Sequence, residues 1–412
     1  MSQELRRSLP AFSAAIPVVI VYFAVLGIVL AAAGPHGLAL SARQTSGWIA
    51  ILYGWPTVLA IVLTLRYRQP LLLTGNIFAI IFFVTLGHRI SFSALAGATI
   101  VAGAILFAMA MFGLTRLVAE WIPASIVQGL IAGVVLPFVV NVFTALSTSK
   151  DGVRLPLDVP LMVGAALVVY LVSQRFLGTR IPPILPSFVA ALLVAALTGQ
   201  LGELPSSFSL PGLDLIRPEF SWTAIASTTP VLVALLTVPA TIPSVIFMRG
   251  QGFEPPERLV NVVSGLGTMA GSLFGPVAVS LALPPVLLTA GPGAGERTLR
   301  YRSTFPPFVA ALGIALFAST AADLAVLVPS VLLLSMAGLA LLGALAAAVK
   351  EIAAGPLTLG PLFAFAVALS DMEVLGLGAV FWSLVIGTAV SLLVEREGWA
   401  ALRRQMVASE EH

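Results

Sequence analysis

The chain has no cysteine, three histidines in 412 residues, and only 9% Asp, Glu, Lys and Arg. Without thiols, disulfides, thiolate catalysis and cysteine-ligated metals are excluded. So little charge cannot clothe an ordinary soluble domain, whose residues are about one-quarter charged. His36 and His88 fall in predicted loops and His412 is the last residue, so no histidine stands at membrane depth to pair with a serine or relay a proton. Asp323, Lys350, Glu351, Asp371 and Glu373 all sit at predicted ends of apolar runs, and Glu120 sits at the start of one. Phosphate-loop, dinucleotide, His-Glu-x-x-His and Gly-x-Ser-x-Gly motifs are absent. The reading therefore expects no enzyme, no cofactor, no metal site and no nucleic-acid partner.

What is present is hydrophobic. Apolar residues make up 59% of the chain, and runs of bilayer-spanning length recur throughout it. The predicted class is an all-α polytopic membrane protein. The first run follows Arg6 and Arg7 like a signal peptide, but it is long and merges into the multi-span pattern, so it reads as an uncleaved first span. About fourteen segments are predicted: 12–33, 47–65, 71–87, 93–113, 122–145, 159–176, 184–200, 222–246, 259–274, 277–291, 305–322, 325–348, 357–370 and 375–394.

Basic residues test this count. With the amino terminus in the cytoplasm, Arg43, Arg89, Lys150, Arg154 and Arg217 fall outside, and the other sixteen of the 21 Lys and Arg fall inside. That asymmetry is what the positive-inside rule requires, and dropping one span would scramble it. Both termini are expected in the cytoplasm, in an inner membrane whose lipid surrounds the spans.

The longest polar interruption, residues 200–221, contains Glu203, Pro205, Pro211, Asp214, Arg217 and Pro218 and divides the segments seven and seven. An odd number per half makes a second copy enter the membrane upside down, giving a 7+7 inverted repeat. Each half has an interrupted segment. Pro70 opens the third, with Thr74 four residues on, and Pro276 opens the tenth, with Ser280 four residues on. Half-helices starting at mid-depth expose unpaired N–H groups and a positive dipole end, which favour an anion. Thr74, Gly75, Asn76 and Ser280, with adjacent Val279, are the candidate substrate-binding residues. The competing reading is that Pro70 and Pro276 simply begin spans at the interface.

The eighth segment holds Pro230, Pro239 and Pro243, which must bend or interrupt it. Thr237, Thr241 and Ser244 are candidates to line the same cavity, the alternative being that these hydroxyls satisfy a kink. Phe78 and Tyr22 are candidates to touch an apolar part of the substrate, the alternative being plain packing. Small residues around Gly338 and Gly343 read as close helix packing.

Several stretches carry a family resemblance. They include Ser46-Gly47-Trp48-Ile49, Leu65-Arg66-Tyr67-Arg68-Gln69-Pro70, Trp121-Ile122-Pro123, Ile242-Pro243-Ser244 and Gly376-Leu377-Gly378-Ala379-Val380-Phe381-Trp382. In them the chain resembles the benzoate transporter (BenE-like) branch of the superfamily that also holds nucleobase/ascorbate permeases and sulfate/bicarbonate transporters. The resemblance implies a core domain (12–113 and 222–322), a gate domain (122–200 and 325–394) that forms a homodimer, and a site between the third and tenth segments. It also implies a proton-coupled secondary transporter of a small organic anion such as benzoate.

The departures lie at that site. Gly75-Asn76-Ile77-Phe78-Ala79 stands where benzoate-type members have a Trp-Ser-Thr-Pro-Gly-like run. Ala240-Thr241 replaces a Gln-Asn pair, and Val277-Ala278-Val279-Ser280 replaces a His-Gly-x-Asn run. Residues 395–412 form a short tail, with Trp399, Arg403 and Arg404 spaced like an interfacial helix, and no regulatory domain is expected after it. Two other readings stay open: an uncoupled channel or exchanger for an inorganic anion, and a membrane-embedded enzyme or structural subunit.

Overall fold

The computed structural model describes residues 3–35, 37–86, 89–115, 117–150, 153–154, 156–176, 183–202, 209–370 and 372–408. His36, His88, Glu203, Pro205, Asp371 and His412 lie outside them.

The first half comprises α1 (Gln3–Ala33), α2 (Ala42–Tyr67), β1 (Leu73–Gly75), α3 (Ile77–Leu86), α4 (Phe92–Phe112), α5 (Leu117–Trp121) and α6 (Ala124–Thr144). A hairpin of β2 (Ser149–Lys150) and β3 (Val153–Arg154) leads to α7 (Asp158–Phe176) and α8 (Ile184–Leu197). The second half runs α9 (Trp222–Leu236), a π-helical turn (Thr237–Thr241), α10 (Ile242–Gly250), α11 (Glu257–Gly271), β4 (Val279–Leu281) and α12 (Leu283–Ala290). There follow α13 (Phe305–Leu316), α14 (Ala318–Leu327), α15 (Ser330–Ala354) and α16 (Leu359–Leu369). A hairpin of β5 (Glu373–Val374) and β6 (Leu377–Gly378) then precedes α17 (Ala379–Val394) and α18 (Arg396–Ala408).

Every predicted apolar segment coincides with helix in this order. Among the described residues, seven helical stretches are long and apolar enough to cross a membrane unaided, and α3, α8 and α16 are shorter apolar helices. The eleventh segment extends past its predicted end. α14 continues to Leu327 and Pro329 caps α15, because a proline disfavours helix in the residue before it. The tail is indeed a helix lying across the last span: α18 leaves α17 at 99° with Trp399 buried.

Local sequence sets several ends. Ser41 and Gln44 cap α2 reciprocally, and Ser91 caps α4. Packing then depends on small residues. A Cβ added at Gly338 would collide with the Phe138 carbonyl, so glycine is what lets α15 lie directly on α6. α6 also packs along α16, whereas α4 packs on α9 and α11.

Candidate functional site

β1 and β4 cross in the interior and pair antiparallel, Leu73 opposite Leu281, Thr74 opposite Ser280 and Gly75 opposite Val279. Pairing gives the interrupted backbone the hydrogen bonds that it could not find in lipid. The ladder is anchored from both sides. The Trp48 indole donates to the Pro276 carbonyl (2.8 Å), and the Val279 N–H donates to the Thr268 hydroxyl (2.9 Å).

Asn76 joins the two halves at this crossing. Its N–H donates to the Ala278 carbonyl (2.7 Å), and its side-chain Nδ2 donates to Ser280 Oγ (3.0 Å) and to the Leu235 carbonyl (3.3 Å). Its Oδ1 accepts from the Ala79 N–H (3.0 Å), the N-cap bond of α3. The N–H groups of Ile77 and Phe78, which open α3, have no intrahelical partner.

Beside the crossing lies a cavity of about 130 Å³. Thr74, Gly75, Asn76, Ile77 and Phe78 line it, with Thr57 of α2. Tyr22, Tyr53, Pro239, Pro284 and Pro285 form much of the remaining wall. The two tyrosine rings meet edge to face at 6.1 Å, and the Tyr53 hydroxyl donates to the Tyr22 carbonyl (2.8 Å). Among the described residues, no protein group bonds the hydroxyls of Thr57 and Thr74. The volume is close to the roughly 150 Å³ of an apolar cavity that holds benzene. The arrangement can hold a small molecule with one polar end and one flat apolar face.

Of the residues singled out from sequence, Tyr22, Thr74, Gly75, Asn76 and Phe78 all line this cavity. Ser280 lies one layer behind, fully buried, and reaches it only through Asn76. Val279 is fully buried and off the wall. Thr237 and Thr241 are also off it. Their hydroxyls donate to the carbonyls of Val233 (2.7 Å) and Leu236 (2.9 Å), and Ser244 donates to that of Ala240 (2.6 Å). The prolines widen the helix into a π turn, and these hydroxyls satisfy carbonyls there. These bonds are the ones the kink alternative describes, and Pro239 and Ala240 line the cavity.

Gly75 serves protein packing: a Cβ there would sit 3.0 Å from the Leu52 carbonyl oxygen. Tyr53 and Thr57 are wall residues that sequence reasoning missed. Their only signal is a polar pair one turn apart within an apolar span.

No Asp, Glu, His, Lys or Arg lines the cavity among the described residues. Carboxylates with displaced pKa values lie elsewhere. A bidentate fork from Arg43 holds Asp214 below its ordinary value. Thr298 first, then Arg7, hold Glu296 down. At Glu395, burial pushes the value up, but the N–H groups of Gly360, Thr358 and Leu359 and the Ser391 hydroxyl outweigh it and leave the group below normal.

A family model described as "Benzoate membrane transport protein" matches residues 7–393. The benzoate membrane transport protein of Acinetobacter baylyi is 25% identical over 88% of this chain and 91% of its own. The inner membrane protein YdcO of Escherichia coli is 24% identical over 84% and 85%. Among solved structures, the transmembrane domain of the cyanobacterial bicarbonate transporter BicA superposes with a TM-score of 0.55 at 16% identity, covering 95% of this chain and 97% of that one. The murine Solute Carrier 26 member A9 anion transporter, in its inward-facing state, gives 0.61 at 14% identity, over 94% and 68%. The last two likenesses concern the fold.

Proposed function

The chain belongs to the benzoate membrane transport protein family, a family of membrane transporters and not of enzymes, and from that premise we propose that it carries a small aromatic carboxylate such as benzoate across the inner membrane. The carboxylate sits at the amino end of α3, bonded by the Thr57 and Thr74 hydroxyls and the Ile77 and Phe78 N–H groups. The ring lies against Phe78, Tyr22, Tyr53 and the Pro284-Pro285 turn. The observation that carries this reading is the cavity itself, lined by two hydroxyls that no protein group bonds among the described residues and by aromatic and proline side chains, with room for about one ring.

Transport proceeds by alternating access, as a core (12–113 and 222–322) moves against a gate (122–200 and 325–394), in a 7+7 inverted repeat with both termini in the cytoplasm. The packing of α4 on α9 and α11, and of α6 on α15 and α16, supports that division. The protein pairs as a homodimer through its gates. Among the described residues no carboxylate or imidazole lines the cavity wall to carry a coupled proton, so the proton travels on the substrate, joining its carboxyl once that group leaves the α3 donors for the apolar part of the path.

The test is a thermal-shift panel of benzoate, substituted benzoates and inorganic anions, followed by uptake into proteoliposomes across a pH range, since a ligand that prefers the folded state raises its apparent stability. Stabilisation by aromatic acids, with uptake that rises as external pH falls, supports the reading. Stabilisation by inorganic anions alone would replace it with the channel or exchanger.

A further inference from the structure

The other end of α3 borders a second concavity of about 690 Å³, which shares no wall residue with the first. Ten residues of helix, about 15 Å, separate the two ends. One side of the concavity is Phe82 and Thr85 of α3 with Arg89 just beyond. The facing side is the β5–β6 hairpin and the start of α17, with Glu373 and Phe381. Polar and aromatic groups are mixed here, and a cation stands among them.

Arg89 is unusual among the arginines that pair with acids. Its guanidinium lies 3.7 Å from the Glu373 carboxylate, with both side chains 55% exposed, and no hydrogen bond forms between them. The other ion pairs among the described residues are hydrogen-bonded: Arg43 with Asp214 at 2.5 and 2.6 Å, Arg7 with Glu296 at 2.7 Å, Arg249 with Glu257 at 2.8 Å. A guanidinium fork satisfies a carboxylate best by two parallel bonds, and Glu373 makes neither.

The backbone turn that follows Glu373 is fixed, which leaves only its exposed side chain to move. Leu375 and Gly376 take φ of 55° and 73°, the twisted two-residue turn that closes a hairpin, and the Trp382 indole donates to the Val374 carbonyl (3.1 Å). Positive φ at a leucine is uncommon, so this turn is specified by its surroundings.

We infer that this concavity is a second, peripheral binding site for the substrate carboxylate, in which Arg89 takes the acid in a bidentate fork and Glu373 is the resident carboxylate that the substrate displaces. The inference rests on the aromatic-carboxylate reading above, under whose topology this face is the outer one. Arg89 supplies the full positive charge that the central cavity lacks, and Phe381 is there for the ring. The ion pair is exposed, so salt screens the pull of the guanidinium on either carboxylate. The pair bridges the α3–α4 connection and the α16–α17 hairpin, so the same exchange removes a contact between the two groups of helices that move.

Labelled benzoate uptake from this face and from the opposite face, in oriented proteoliposomes, tests the site with R89Q and E373Q. R89Q is expected to raise KM from the outer face about fivefold, the most that an exposed ion pair supplies, with the opposite-face KM unchanged. E373Q is expected to lower the outer-face KM, a gain that a misfolded protein cannot produce. Both differences shrink at high ionic strength. An unaltered outer-face KM in R89Q, or a raised one in E373Q, overturns the site while leaving the central cavity standing. If the wild-type protein takes up no aromatic acid, the central reading and this site fall together.

Discussion

α3 and α12 each follow a three-residue strand and each begin beside the same cavity, yet their first turns differ in what they offer. α3 has a side-chain cap, Asn76, and two amides without intrahelical partners at the wall. α12 is preceded by Ala282, which makes no side-chain cap bond, and its second and third residues are Pro284 and Pro285. Those are the positions whose N–H groups an N-cap would serve, and proline has none. Two halves with one layout therefore build opposite ends of a site, a donor end on α3 and an apolar end on α12. The strands repeat the contrast, with Gly75 pressed against the Leu52 carbonyl while its partner Val279 carries a full side chain. Under the proposed inverted repeat the two junctions share a framework, and the differences between them are what the proposed one-ended anion would use.

Removing the asymmetry at its strongest point should have the largest effect. Asn76→Leu strips the α3 cap and orphans Ser280 and the Leu235 carbonyl, so it should cost roughly 2–4 kcal/mol of stability and abolish uptake. Chemical denaturation in detergent reads the first and proteoliposome uptake the second. The mirror change, Ala282→Asn, should leave stability within about 0.5 kcal/mol, because a new cap there has no N–H to accept from. A gain of a full kcal/mol would mean that α12 has a donor end after all.

Next in size is Gly75→Ala, whose Cβ would press on the Leu52 backbone and should cost about 1–3 kcal/mol as overpacking does. Val279→Ala tests the partner position as a cavity, and its loss should show in stability before it shows in substrate affinity. Thr74→Val keeps volume and removes a hydroxyl that no protein group bonds among the described residues. Stability should hold, while KM for benzoate rises about tenfold, the worth of one hydrogen bond to a charged acceptor.

The smallest effect lies far from the crossing. Glu395 accepts from the N–H groups of Thr358 (2.6 Å), Leu359 (2.8 Å) and Gly360 (2.9 Å), so α16 borrows its cap from the end of α17. Glu395→Gln should cost about 1 kcal/mol near neutral pH. Because the folded pKa is depressed, the wild-type advantage is fully present above the ordinary glutamate value of 4.5 and is lost as pH falls through the lower folded value. Unfolding curves of the two proteins should therefore converge in acid.

The helical framework was legible because hydropathy and breaks report what a bilayer demands of each span. The two interrupted segments were legible too, since Pro70 and Pro276 stand at corresponding places in the two halves. Within the site, legibility followed the backbone. Thr74, Gly75, Asn76 and Phe78 belong to the strand-to-helix junction and were found together. Hydroxyls inside helices were not separable by type: Thr57 faces the cavity, whereas Thr237 and Thr241 turn back onto carbonyls that a π turn leaves open. That choice depends on helical rotation and local bonding, which residue identity does not encode. Tyr53 was invisible for the same reason, since an aromatic on a cavity wall and one in a packing seam have the same neighbours in sequence.

The claim that the anion is held at the α3 end is tested most directly by solid-state NMR, measuring dipolar coupling between benzoate labelled with ¹³C at its carboxyl and ¹⁵N-labelled protein. A carboxyl bonded to the Ile77 or Phe78 amide should lie about 4 Å from that nitrogen. Coupling to the Leu283 amide instead, or to neither helix, would contradict a donor end on α3 and an apolar end on α12.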